Sequence, residues 1–337
     1  MPAKQVGLRE PVRPPKSAPE PVSQPPGVPW PLILIFVGVS FALAWAICLP
    51  LWLGKGLAEP LFQVYASAMM FTPAIATVVV VIIQRRRGVY VDLGIRPQRP
   101  VRRLLGYAAL ALIGLPLLAL AALLLSWAFG TVDLDPVHLS GFRALLDAQL
   151  KATGRGPEAL GGAPIHVIAA LQMVNIVINA VVASFLTFGE EVGWRGWLLP
   201  NLRPLGPWPA FLLTGVIWGA WHAPIILLGY NYQRRDLLGV LFMIVFCVLL
   251  GIMLGWLRLR SRSLWPAVIG HAAVNASVGA WTLILIREGA RAHPATSMLL
   301  GWPGWLLMAV LIAAVATVER IRCRRRAAAR GQLSDLG

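Results

Sequence analysis

The residues with chemical potential sit in three short strings. FLTFGEEVGWRGWLLP carries Glu190, Glu191 and Arg195, WGAWHAP carries Trp218 and His222, and GHAAVN carries His271 and Asn275. Each string lies in or beside an apolar stretch, where one charged side chain costs roughly 2.5–3.5 kcal/mol on insertion scales and so calls for a reason. Glu191 and Arg195 are four apart, in the order that favours an ion pair on one helical face, which leaves Glu190 pointing elsewhere. His271 and Asn275 are also four apart and share a face, with Thr282 further along it. Asn179 and Asn175 lie about three and four turns before Glu190 and extend its stripe.

Hydrolysis of a peptide bond needs an activated water and donors aimed at the developing oxyanion, and this set can supply both. Glu190 would serve as general base with His222 sharing or orienting the water, Glu191 would be neutralised by Arg195, and His271 and Asn275 would donate to the oxyanion. In a second arrangement Glu190, His222 and His271 are three N/O ligands of a catalytic Zn²⁺ whose fourth position holds water. The same residues could also form the proton relay of a proton- or ion-coupled transporter, or belong to a non-catalytic membrane scaffold. The sequence does not choose between zinc and no cofactor; the peptidase is the first reading, with the transporter and the scaffold as its alternatives.

The elements that must position these groups are membrane helices. The chain has 337 residues, 58% of them hydrophobic and 13% charged, with a mean hydropathy of +0.70, far from a soluble domain. A hydrocarbon core of about 30 Å needs about 20 apolar residues per helical crossing. Eight runs qualify: approximately 31–54, 62–84, 104–130, 166–188, 208–228, 237–257, 264–286 and 299–318. Unpaired backbone amides cannot face lipid, so the runs are helices and the predicted fold is an all-α polytopic bundle of about eight spans. The catalytic candidates fall in spans four, five and seven, and the cavity between them is expected to open toward the cytoplasm.

The net charge of +16 is a topology signal rather than a sign of nucleic acid, since no soluble segment is long enough to form a basic domain. With both termini in the cytoplasm, 22 of the 30 Lys and Arg fall inside. Residues 1–29 form a proline-rich basic tail, expected to be extended and cytoplasmic. Residues 30–165 hold the first spans and the long external loop, in which FRALLDAQLKA could form a surface helix. Residues 166–290 form the candidate core, and 291–337 hold the last span and a second basic cytoplasmic tail.

The three strings resemble the signature of the CAAX-processing and bacteriocin-processing (CPBP) intramembrane proteases, a family that includes abortive-infection-like bacterial proteins. EExxxR is matched by Glu190, Glu191 and Arg195, an aromatic residue followed by xxxH by Trp218 and His222, and HxxxN by His271 and Asn275, all in order. Trp218 stands where the family more often has Phe. The resemblance covers about 180–290. It implies an intramembrane endopeptidase, glutamate-type or metallo-type, in which Glu190 and His222 activate water and His271 and Asn275 stabilise the oxyanion. Its implied partners are membrane lipid and a membrane-associated protein or peptide, either a prenylated protein or a peptide precursor. The expected location is the bacterial cell (inner) membrane.

Overall fold

The computed structural model describes residues 27–85, 89–96 and 100–334. The proline-rich tail, apart from residues 27–29, lies outside the described residues. The helices in chain order are α1 (Trp30–Leu53), α2 (Phe62–Met69), α3 (Thr72–Gln84), α4 (Val89–Asp92), α5 (Val101–Ala128), α6 (Ser140–Ala152), α7 (Ile165–Glu191), α8 (Leu199–Leu202), α9 (Pro207–Trp221), α10 (Ala223–Ile226), α11 (Leu237–Ser261), α12 (Trp265–Leu285) and α13 (Trp302–Ser334). A π-helical segment, Val192–Leu198, joins α7 to α8. Prolines open α1, α3, α9 and α12, where the missing N–H is no loss because the first turn has no acceptor for it. The helix α6 covers FRALLDAQLKA, so the long loop does carry the expected short helix.

The protein is an all-α polytopic helical bundle. Among the described residues seven helical stretches are long and apolar enough to cross a membrane: α1, α2 with α3, α5, α7 continued to Leu205, α11, α12 and α13. The remaining run, 208–228, is not one continuous helix. It breaks at His222 because Pro224 has no N–H to return to the preceding turn, giving α9 and then the single turn α10. Together the two pieces still run the length of α11 in the opposite direction. Phe211 faces Gly255, Gly215 faces Val248, Gly219 faces Ile244 and Ile226 faces Gly239.

Small residues set this approach. A Cβ on Gly219 would lie 2.4 Å from Ile244 Cα, and one on Gly215 would lie 2.6 Å from Val248 Cα. In lipid, where apolar surface gains nothing by leaving the solvent, such close backbone packing is a principal source of helix association. The helix α12 is flanked by α5, running parallel to it, and α7, running antiparallel. At one end Leu264 N donates to Gly94 O and Trp265 Nε1 to Ile95 O, just before α5 begins. At the other, Asp135 N donates to Leu285 O and Arg287 N to Asp133 O, just after α5 ends. On the α7 side, Thr187 Oγ1 donates to Val268 O, while Ile165 and Ala169 cluster with Ile284.

Replacing Gly219 by Val should force α9 away from α11 and lower stability by at least the 1–3 kcal/mol typical of an overpacked core, because the clash is with backbone. Gly38, where an added Cβ would meet nothing within 4 Å, should accept Ala without loss. Thermal unfolding of the two variants in one detergent checks both outcomes.

Candidate active site

Glu190 and Glu191 end α7, where the chain is pressed against the start of α3. A Cβ on Gly189 would lie 2.8 Å from Met70 O, and one on Gly193 would lie 2.5 Å from Pro73 Cβ, so glycine at both positions lets the helix seat there. The following π-helical segment has the wide turns often found at functional sites. It carries Arg195 inward, where Arg195 Nη1 donates to Glu191 Oε1 at 2.7 Å with both side chains fully buried. The guanidinium carbon also lies 4.1 Å from the centre of the Trp218 ring, close enough for a cation–π contact. Gly251 of α11 leaves room for this, since a Cβ there would stand 3.2 Å from Arg195 Nη2.

Glu191 has a second partner. His271 Nδ1 lies 3.0 Å from the same Oε1. A carboxylate oxygen accepts, so Nδ1 carries the proton, and Nε2 is left for other partners. His222 is fixed in the same way by its own helix: Nδ1 donates to Trp218 O at 2.9 Å. The break at His222 frees that carbonyl from the backbone ladder, since His222 N turns to Gly219 O instead. Cys247 Sγ lies 3.9 Å from His222 Nδ1. Glu190 Oε2 accepts from Trp218 Nε1 at 2.7 Å, across 28 positions of sequence.

These groups border a cavity of about 1420 Å³. Glu190, Trp218, His222, His271 and Asn275 line it; Glu191 and Arg195 stand behind its wall. Asn275 is exposed on the cavity side of α12. Asn179 and Thr282 line it too, while Asn175 turns to Gln172 Oε1. Sequence reasoning missed Cys247, which faces His222 from α11, and the polar loop residues Tyr230, Asn231 and Gln233, whose signal was the polar run GYNYQRRD between two apolar runs.

Among the described residues no three His, Cys, Asp or Glu side chains are gathered as metal ligands. Glu190, His222 and His271 do not form such a set, and one oxygen of Glu190 is already held by Trp218. The arrangement is a carboxylate and two imidazoles facing one space.

The cavity mouth differs from the expectation. It lies at the end of the bundle opposite the arginine-rich segments: the rim comes from the loops after α10 and α12 and from the start of α2. The expectation placed Glu190 near the cytoplasmic end of its span. The helical path continues beyond it through Val192–Leu198 and α8, which sets Glu190 deep. Trp194 and Trp197, both buried, pack on Phe36 of α1 beyond it.

The fold and the site define a polytopic helical membrane protein with a buried Glu–Glu–Arg–His cluster beside a polar-floored cavity. Residues 169–277 match the family model described as Type II CAAX prenyl endopeptidase Rce1-like. CAAX prenyl protease 2 of Methanococcus maripaludis is 30% identical over 92 residues, 26% of this chain and 34% of that protein, so the match spans about a third of the relative's length. The core of the chain is thus similar to CAAX-type endopeptidases.

Arg195→Ala should destabilise the fold by about 3–5 kcal/mol, because it leaves the Glu191 charge buried with one partner fewer. Replacing the whole pair, Glu191→Gln with Arg195→Met, should recover a large part of that loss. Chemical or thermal unfolding of the three proteins measures both effects.

Proposed function

We propose that the protein is an intramembrane endopeptidase that hydrolyses a membrane-associated peptide or protein, with Glu190 as general base. The observation that carries this reading is the division of the two carboxylates. Glu190 lines the cavity with His222, His271 and Asn275, while Glu191 is held behind the wall by Arg195 and His271. The family match supports the reaction class.

In this reading Glu190 takes a proton from a water that attacks the carbonyl carbon of the scissile bond, and His222 Nε2 accepts from the same water to orient it. The carbonyl oxygen becomes an oxyanion. His271 Nε2 can donate to it only if the ring carries a second proton, and Glu191, already bonded to Nδ1, is the counter-charge for that imidazolium. With His271 protonated, the two carboxylates balance the imidazolium and Arg195, so the buried cluster is neutral as a whole. Asn275 Nδ2 is the second donor, one turn further along α12. Collapse of the tetrahedral intermediate breaks the C–N bond, and the proton held by Glu190 passes to the leaving amine. No step requires a metal. The name of the relative, CAAX prenyl protease 2, supports a polypeptide substrate; the prenyl group is not part of the assignment.

Purified protein should cleave members of a membrane-peptide library. Glu190→Gln should lower the rate by about 10²–10⁴-fold and Asn275→Ala by about 10²–10³-fold, with activity surviving dialysis against a strong chelator. About one equivalent of zinc, lost together with activity and restored with it, would instead make Glu190, His222 and His271 ligands. Glu190-dependent proton or solute flux without any cleavage would replace the peptidase by a transporter.

A further inference from the structure

The cavity that holds Glu190 is open at one end of the bundle and closed at the other, and the two ends differ in charge. Glu190, Trp218, His222 and His271 form its floor. Its rim is Gln63 at the start of α2, Asn231 and Gln233 between α10 and α11, and Arg291 and His293 between α12 and α13. These segments meet at one end of the molecule. Phe62 packs on Tyr230 with ring centres 5.3 Å apart, and Tyr232 Oη donates to Leu300 O at 3.2 Å.

At the far end the chain gathers its arginines. Arg258 Nη2 donates to Asp92 O, Arg260 pairs with Glu319 in the middle of α13, and Leu264 N bonds Gly94 O, which brings the ends of α4 and α11, the middle of α13 and the start of α12 together. The segments at that end, with the two tails, hold 21 of the 30 Lys and Arg, Arg195 of the buried cluster being left out. Short basic segments beside membrane helices stay on the cytoplasmic side, so this end is the inner one and the mouth of the cavity is on the outside. The parallel course of α5 and α12 requires an even number of turns in direction between them, which holds when α9 with α10 counts as a crossing.

The side wall adds a second constraint. Val182 of α7 lines the cavity yet is 67% exposed, and Asn179, one turn earlier on the same face, is also exposed. Along this stretch the cavity communicates with the outer surface of the bundle at membrane depth, so a chain anchored in the bilayer can enter from the side without leaving the lipid.

We infer that the substrate is a polypeptide anchored in the outer half of the bilayer, or freshly exported through it, whose scissile bond enters from the non-cytoplasmic face. This rests on the endopeptidase reading and narrows it: a protein tethered only to the cytoplasmic leaflet has no route to Glu190 except past the tryptophans that close the inner end. Nothing about it depends on a lipid modification of the substrate.

The side of the mouth can be read without any activity. Cys323 is exposed at the arginine-rich end, and Gln63→Cys or His293→Cys adds an exposed thiol on the rim. In intact cells a membrane-impermeant maleimide should label the rim thiols and reach Cys323 only after permeabilisation. Labelling of Cys323 in intact cells, with the rim thiols protected, would overturn the inference. The substrate claim is then tested by offering water-soluble peptides to right-side-out and inside-out vesicles, each compared with Glu190→Gln. Cleavage confined to right-side-out vesicles is expected, and cleavage confined to inside-out vesicles would contradict it. If detergent-solubilised protein, with both faces open, shows no Glu190-dependent cleavage, the peptidase reading falls and takes the substrate claim with it, while the labelling pattern still reports the side of the mouth.

Discussion

The buried carboxylate of Glu191 is the interaction on which the rest of the site depends. One oxygen receives both Arg195, from the π-helical segment after α7, and His271, from α12. Arg195 in turn lies over Trp218 of α9, in the space that Gly251 of α11 leaves open. Four membrane-depth elements are therefore referred to one charge. An ion pair taken fully out of water must be held in good geometry to offset its desolvation, and removal of either member leaves the other stranded. The cluster is not fully bonded: Glu191 Oε2, Arg195 Nε and Arg195 Nη2 make no hydrogen bond among the described residues. The indole face of Trp218 supplies part of what those groups lack.

That arrangement separates two chemically identical neighbours. Successive residues of a helix point about 100° apart, so when Glu191 turns into the bundle, Glu190 turns to the cavity. Trp218 then serves both: its ring faces Arg195 and its Nε1 donates to Glu190. The ring that guards the structural pair also positions the carboxylate proposed to take the proton. His222 is fixed by the carbonyl of that same Trp218, so the orientation of the water-binding groups depends on the helix break at His222 as well as on packing.

Much of this was legible from the sequence. The spacing EExxxR alone put Arg195 on Glu191 rather than on Glu190, because residues four apart share a helical face and residues five apart do not. The apolar runs placed the helices. What could not be read were contacts between residues distant in sequence. Trp218 to Glu190 spans 28 positions and His271 to Glu191 spans 80, and nothing local to either string specifies its partner. The direction in which the cavity opens was lost for a related reason. Hydropathy marks where a span ends by composition, and the apolar run stops near 188, whereas the helical path continues to Leu205. Asn175 and Asn179 share a stripe by periodicity, but only Asn179 reaches the cavity, since the stripe outlasts the cavity wall.

The central claim is that adjacent carboxylates have separate duties, Glu191 holding the bundle and Glu190 doing the chemistry. The direct measurement is to make Glu190→Gln and Glu191→Gln, both isosteric, and record thermal stability and single-turnover cleavage for each beside the parent protein. The account predicts that Glu190→Gln keeps the parent's unfolding temperature while its cleavage falls by about 10²–10⁴-fold, and that Glu191→Gln unfolds at a clearly lower temperature while the fraction that remains folded still cleaves, more slowly than the parent because His271 has lost its counter-charge but faster than Glu190→Gln. The opposite pattern, a stable but inactive Glu191→Gln beside an active but unstable Glu190→Gln, would contradict it.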